Sequence, residues 1–245
     1  MYKVQKNHGS AGVDHMPVTK LSELMSIDKG ELTEKVRSGN YLPQPILGVE
    51  ISKGEGKTRL LGIPTVTDRL LQQAVLQVIN ARFEFGFSDF SFGFRPKRNV
   101  QQAVMKAQGY INEGFQHIVD IDLKTFFDEV DHSILLQLIY KKVKCPHTLR
   151  LIRKWLRAPI QIDGKLHRRR KGVPQGGPIS PNMFRYMLAD LREYLNESFG
   201  IVLSEDEILV HLLWADDLIL MSDSIEGLQK QLDGLMQFCC KFQMI

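Results

Sequence analysis

The chain has 245 residues, 43% hydrophobic and 24% charged, the balance of a globular protein long enough to build its own core. Its formal charge of +4 suits a polyanionic partner without requiring one. Three cysteines and seven scattered histidines offer neither a disulfide framework nor a zinc spacing, and no apolar run approaches the ~20 residues of a membrane span.

Residues 7–18, with Gly9, Gly12 and Pro17, have loop composition. Leu21, Leu24, Met25, Leu32 and Val36 then recur at helical spacing, with a break expected at Gly30 and a stop at Ser38-Gly39-Asn40. Residues 47–63 read as two short strands around Lys53-Gly54-Glu55-Gly56-Lys57, locally a solvated hairpin turn. Thr67 or Asp68 is expected to cap the next helix, with Leu70, Leu71, Ala74, Val75, Val78 and Ile79 on its core face. A phenylalanine-rich stretch, 83–94, leads to Arg95, Lys97 and Arg98. Aromatic rings beside cations suit base stacking with phosphate neutralisation, and equally suit a buried patch with a solvated rim. Residues 99–114 are a predicted helix with Val100, Ala103, Val104, Ala107 and Ile111 inward.

Ile118-Val119-Asp120-Ile121-Asp122-Leu123 reads as a strand. Alternation puts Asp120 and Asp122 on one face, where they repel unless a cation lies between them. Phe126 and Phe127 follow, and on composition alone both suit a core. Asp128, Asp131 and His132 precede a helix near Ser133 and read as capping groups. A helix is expected at 149–156, and Asp163-Gly164 marks a hairpin. Arg168-Arg169-Arg170-Lys171 is either a solvated face or a phosphate contact. Directly after it, the glycines of Pro174-Gln175-Gly176-Gly177 allow close backbone approach to a ligand.

Ser180-Pro181 opens a helix with Met183, Phe184, Met187, Leu188, Leu191 and Leu195 inward. Residues 200–207 are a loop or short strand. Two apolar runs, 211–215 and 218–221, flank Asp216-Asp217 and predict a hairpin with both acids at or beside its turn. The last predicted element is an amphipathic helix over 225–242, with Leu228, Leu232, Leu235, Met236 and Cys239 inward. Asp122, Asp216 and Asp217 together form a minimal carboxylate set for two Mg²⁺ ions, the hard cations that clamp the oxygens of a phosphoryl transfer.

The order and spacing of Asp122-Leu123-Lys124-Thr125-Phe126-Phe127-Asp128, Val173-Pro174-Gln175-Gly176-Gly177 and Ala215-Asp216-Asp217 resemble those of reverse transcriptases. Gly9-Ser10-Ala11-Gly12-Val13-Asp14 and Phe92-Gly93-Phe94-Arg95-Pro96 resemble further stretches of that family, and the first two-thirds is most similar to group II intron-encoded enzymes. Residues 183–195 and 211–232 resemble non-long-terminal-repeat retrotransposons. The resemblance implies an α+β right-hand polymerase fold: fingers over 1–117, and a palm over 118–245 whose antiparallel sheet is covered by helices. It implies that the chain stops before the thumb.

The function implied is RNA-directed DNA polymerisation. Asp122, Asp216 and Asp217 would hold two Mg²⁺, Lys53 and Arg59 the triphosphate, Gln175 the nucleotide, and Phe127 would exclude a 2′-hydroxyl. The partners implied are an RNA template, a DNA or RNA primer, deoxynucleoside triphosphates and intron RNA. No membrane partner is expected, and the thiols suit an intracellular setting, whether cytoplasm, nucleoid or nucleus. Trp214 replaces the family's usual tyrosine, Leu213 its preceding arginine, and Arg185 its usual asparagine. The other reading is a catalytically silent RNA-binding, maturase-like remnant.

Overall fold

A computed structural model describes the chain except Glu55, Lys124, Thr125, Asp206, Met244 and Ile245, and the side chains of Lys53 and Phe126. In chain order, α1 (Tyr2–Lys6), α2 (Leu21–Ile27) and α3 (Glu31–Arg37) precede β1 (Ile46–Gly54), β2 (Lys57–Ile63) and α4 (Val66–Phe83). Next come α5 (Val100–Asn112), β3 (His117–Asp122), α6 (Phe126–Glu129), α7 (His132–Val143) and α8 (Pro146–Arg157). The hairpin β4 (Ile160–Ile162) and β5 (Lys165–His167) leads to α9 (Ser180–Leu188). The rest is β6 (Ile201–Val202), β7 (Ile208–Leu209), β8 (His211–Trp214), β9 (Asp217–Ser222) and α10 (Ile225–Phe242).

These elements form two compact units, each built from two segments: Met1–Arg82 with Asp131–Met183, and Phe83–Val130 with Phe184–Ile245. This is a division by packing, whereas the fingers (1–117) and palm (118–245) expected from the sequence are a division by role. Residues 83–117 pack in the same unit as the acid-bearing strands.

In the first unit the sheet order is β2-β1-β4-β5, with β1 and β4 parallel and the other pairs antiparallel. Asp163 and Gly164 both have positive φ, as the tight turn between β4 and β5 requires. Gly30, at φ 92°, separates α2 from α3 where the sequence predicts the break. The start of α4 differs from expectation. Thr65 supplies the capping oxygen, accepting from the Asp68 amide, and Asp68 is buried. The Asp68 carboxylate accepts from Tyr41 Oη at 2.7 Å, Thr65 Oγ1 at 2.9 Å, Trp155 Nε1 at 3.0 Å and the Gln44 amide at 3.2 Å. The buried stripe of α4 is Val66, Arg69, Gln72, Leu76, Ile79 and Phe83, while Val78 is exposed. α7 is capped as predicted, the Asp131 carboxylate accepting from the Ser133 and Ile134 amides.

In the second unit the sheet order is β3-β9-β8, all antiparallel. Phe90, Phe92, Ala103, Leu212 and Met221 form one buried cluster with Ile201 and Leu209. On α5 only Ala103 is fully buried; Val100, Val104 and Ile111 are exposed, contrary to the predicted face. The predicted helix from Ser180 ends at Leu188 and is followed by a 3₁₀ turn at Leu191–Tyr194, although all six predicted core residues are buried. α10 has the predicted bounds and packs on β9. Leu235 and Cys239 are buried as predicted, but Met236 is exposed and the buried face is rotated to take in Gly227, Gln231, Gly234 and Phe238. The cause is a close approach to the Leu191–Tyr194 turn. Gly234 lies against the Tyr194 carbonyl, where a Cβ would not fit, and Gln231 bonds both the amide and the carbonyl of Asn196.

Candidate active site

β3 ends at Asp122 and β9 begins at Asp217, and the antiparallel register sets these two residues directly opposite each other. Side chains so placed have Cβ atoms about 4.5–5.5 Å apart, and like charges there oppose pairing. Trp214 pairs with Asp217, so Ala215-Asp216 is a two-residue turn that places the third acid beside the pair. Asp120, opposite Ile219, shares the face of Asp122. Partial burial, then the charges of Asp216, Asp120 and Asp122, hold the Asp217 carboxyl above its ordinary value. Among the described residues none of these four acids meets a cationic side chain.

The turn is strained. Ala215 sits at φ 53°, a left-handed conformation that glycine or asparagine adopts more easily. Gly93 packs so closely on the backbone of Ala215 that a Cβ would collide with it. Residues 90–93 run along β8, with the Leu213 amide donating to the Phe90 carbonyl and the Phe92 amide to the Leu213 carbonyl.

Among the described residues no three carboxylate, histidine or cysteine side chains are disposed to close round one metal ion. Mg²⁺ keeps waters and takes one or two carboxylates together with substrate phosphate oxygens. Like-charged carboxylates that meet no cationic side chain among the described residues are a donor set that such an ion would relieve.

The other expected site residues divide between the units. Phe127 lies on α6 of the second unit, its ring stacked on buried Phe184 at 5.1 Å and 20°. Arg59 and Gln175 belong to the first unit. Arg59 is exposed on β2, opposite Ile51. The Gln175 carbonyl accepts from the Gly62 amide at 2.6 Å, fixing the Gln-Gly-Gly loop against the end of that strand. Gly176, at φ 128°, lies against the Gly62 carbonyl with no room for a side chain. The Lys53 side chain lies outside the described residues.

The basic run borders a cavity of about 770 Å³ lined by Arg157, Pro159, Leu166, Arg168, Arg169 and Arg170. Arg169 also donates to the Gly172 carbonyl at 2.6 Å. In the Phe-Gly-Phe-Arg stretch only Phe94 presents its ring to solvent, because Phe92 and Arg95 are buried. Sequence reasoning did not single out Glu84, which takes Arg95 Nε at 2.8 Å and Arg185 Nη2 at 3.3 Å. The available signal was an acid within the apolar stretch that leads to Arg95.

The Asp122–Asp217 pair across β3 and β9, with Asp216 on the adjoining turn, lies in a mixed helix-and-sheet fold of the palm-and-fingers kind. The chain matches the reverse transcriptase (RNA-dependent DNA polymerase) family over residues 51–245, and it belongs to that family. It is 31% identical over 198 residues to protein YkfC of Escherichia coli K12, covering 79% of this chain and 52% of that protein. It is 35% identical over 166 residues to the group II intron-encoded protein LtrA of Lactococcus lactis, covering 67% of this chain and 28% of that protein. A type-1 retrotransposable element R2 polyprotein of Nasonia vitripennis is 30% identical over 143 residues, 56% of this chain and 13% of that protein. The chain thus spans about half of one curated relative and far less of the others. A chain of a partial Cas6-RT-Cas1–Cas2 complex shares the fold, with a TM-score of 0.50 and 19% identity over 98% of this chain and 41% of that one. Among the described residues no helix is long and apolar enough to cross a membrane.

Proposed function

We propose that this chain is the core of an RNA-directed DNA polymerase, adding deoxynucleotides to a DNA or RNA primer on an RNA template. The observation that carries this reading is the register pair Asp122–Asp217, with Asp216 on the adjoining turn. These three acids are the residues that would hold two Mg²⁺, which when bound supply charge neutralisation for an in-line displacement at the α-phosphate, with pyrophosphate leaving. Arg59 offers a planar fork, and Lys53 a point charge, to the triphosphate. The Gln175 side chain, on a loop fixed through its own backbone, meets the nucleotide. The Phe127 ring, backed by Phe184, excludes a 2′-hydroxyl. Fingers (1–117) and palm (118–245) are the roles we assign along the chain.

Primer extension tests this with an RNA template, a DNA primer, deoxynucleotides and Mg²⁺. Extension is expected from the wild type. A double variant, Asp216→Asn with Asp217→Asn, should lose it by at least about a thousandfold while keeping its melting temperature, since the chemistry depends on electrostatic stabilisation at these positions. Equal extension by both proteins would remove the acids from the chemistry.

A second reading, an RNA-binding protein without synthesis that assists intron RNA, is favoured by the arginine-lined cavity and by similarity to a nuclear intron maturase of Arabidopsis thaliana, 27% identical over 128 residues. RNA binding with no extension by the wild type would select it.

A further inference from the structure

Phe94 combines features that a packing role does not account for. It is a bulky residue in the left-handed region, at φ 54°, and it is 48% exposed. Its ring stacks on Trp214 with centroids 6.4 Å apart and planes at 22°, and Trp214 is the cross-strand partner of Asp217. Beneath it lies an unusually polar support. The Phe94 carbonyl accepts from Arg185 Nη1, and Arg185 is 2% exposed. The same guanidinium stands 4.3 Å over the Phe87 ring and shares Glu84 with Arg95. Arg95 in turn donates to the Ser88 and Ser91 carbonyls at 2.6 and 2.9 Å.

Two buried cations on one acid are costly to desolvate, and a left-handed phenylalanine is costly to hold. Both costs serve to fix one half-exposed ring at the lip of the acid turn. We infer that Phe94 and Trp214 form a stacking surface for a nucleobase of the bound nucleic acid, and that Arg185 is the positioning residue that holds Phe94 there. The inference rests on the polymerase reading of the acid cluster and names a contact within it. Every base has a π face, so the surface is sequence-tolerant. The base comes either from the primer end or from the template strand.

The test uses the full chain and an RNA–DNA primer–template carrying 2-aminopurine, either at the primer 3′ terminus or opposite it in the template. The wild type is expected to quench one of the two labels on binding, and that label identifies the strand. Phe94→Leu should abolish the quench and raise Kd about tenfold with an unchanged melting temperature, the loss expected for one stacked base. Arg185→Met should lose the same quench, and Arg185→Lys should restore part of it. A purely structural role for Arg185 would not single out one label. Absence of a wild-type quench at both positions, or quenching by Phe94→Leu equal to the wild type, overturns the inference. Extension by the wild type alongside either result leaves the polymerase reading standing. A Phe94-dependent quench without extension leaves the stacking surface standing and removes that reading.

Discussion

His211, the first residue of β8, is fully buried, and among the described residues its Nδ1 meets no hydrogen-bond partner. Burial, with a smaller push from Arg192, lowers the imidazole from its ordinary 6.5 to about 4. The unfolded chain therefore takes up this proton at a higher pH than the folded one. The stability contribution of the neutral ring is complete above pH 6.5 and is lost as pH falls toward 4, by up to about 3 kcal/mol. Urea unfolding of wild type and His211→Phe at several pH values between 4 and 7.5 should show the wild type losing that much more across the window. Parallel pH curves for the two proteins would refute it. The residues that carry charge at the acid turn were legible in the sequence because alternation and spacing fix which acids share a face. Glu84 was not, because an acid inside an apolar stretch is indistinguishable from a surface residue until its arginines are located.

Helix α4 shows why a helix can be foreseen while its buried face is not. It has two apolar faces. The more continuous one, Leu71, Ala74, Val75 and Val78, lines an open groove of about 430 Å³ with Val143, Cys145 and Leu151. The buried one is interrupted by Asp68, Arg69 and Gln72, so periodicity undervalues it. Hydrogen bonds make the difference. Asp68 binds partners from β2's exit, from the segment before β1 and from α8, which ties three parts of the first unit to one carboxylate. Burial raises its carboxyl even against those donors. Asp68→Ala leaves the Tyr41 hydroxyl and the Trp155 indole nitrogen without their acceptor, and should cost about 3 kcal/mol in chemical denaturation. A loss below about 1 kcal/mol would mean the network contributes little. On α10 the sequence located both ends but not the rotation of its buried face, because the contact that sets it is a glycine against a distant backbone carbonyl.

At the scale of the molecule the formal charge of +4 understates the electrostatics, since it sums a cluster of acids in one unit with a run of arginines in the other. If the arginine-lined cavity holds RNA phosphates, binding must weaken with salt in proportion to the number neutralised. Replacing Arg168 and Arg170 with alanine should reduce the slope of log affinity against log salt by roughly 1.5 for single-stranded RNA, as expected for two lost phosphate contacts. An unchanged slope would assign the run to solvent. The fold class was readable from motif order, but the packing division was not, because nothing in local sequence signals that a chain leaves one unit, completes another's strand and returns.

That interleaving has a consequence for synthesis on the ribosome. Every segment of the first unit has been made once Met183 is added, whereas the sheet of the second must await β9. Chains fold as units from the N-terminal side as they emerge. The arginine-lined cavity is therefore available for assembly before Asp122 has a partner strand. Until Asp217 emerges, β3 is exposed along the edge that β9 will cover, and the nascent chain displays a cationic surface before it has its acid pair.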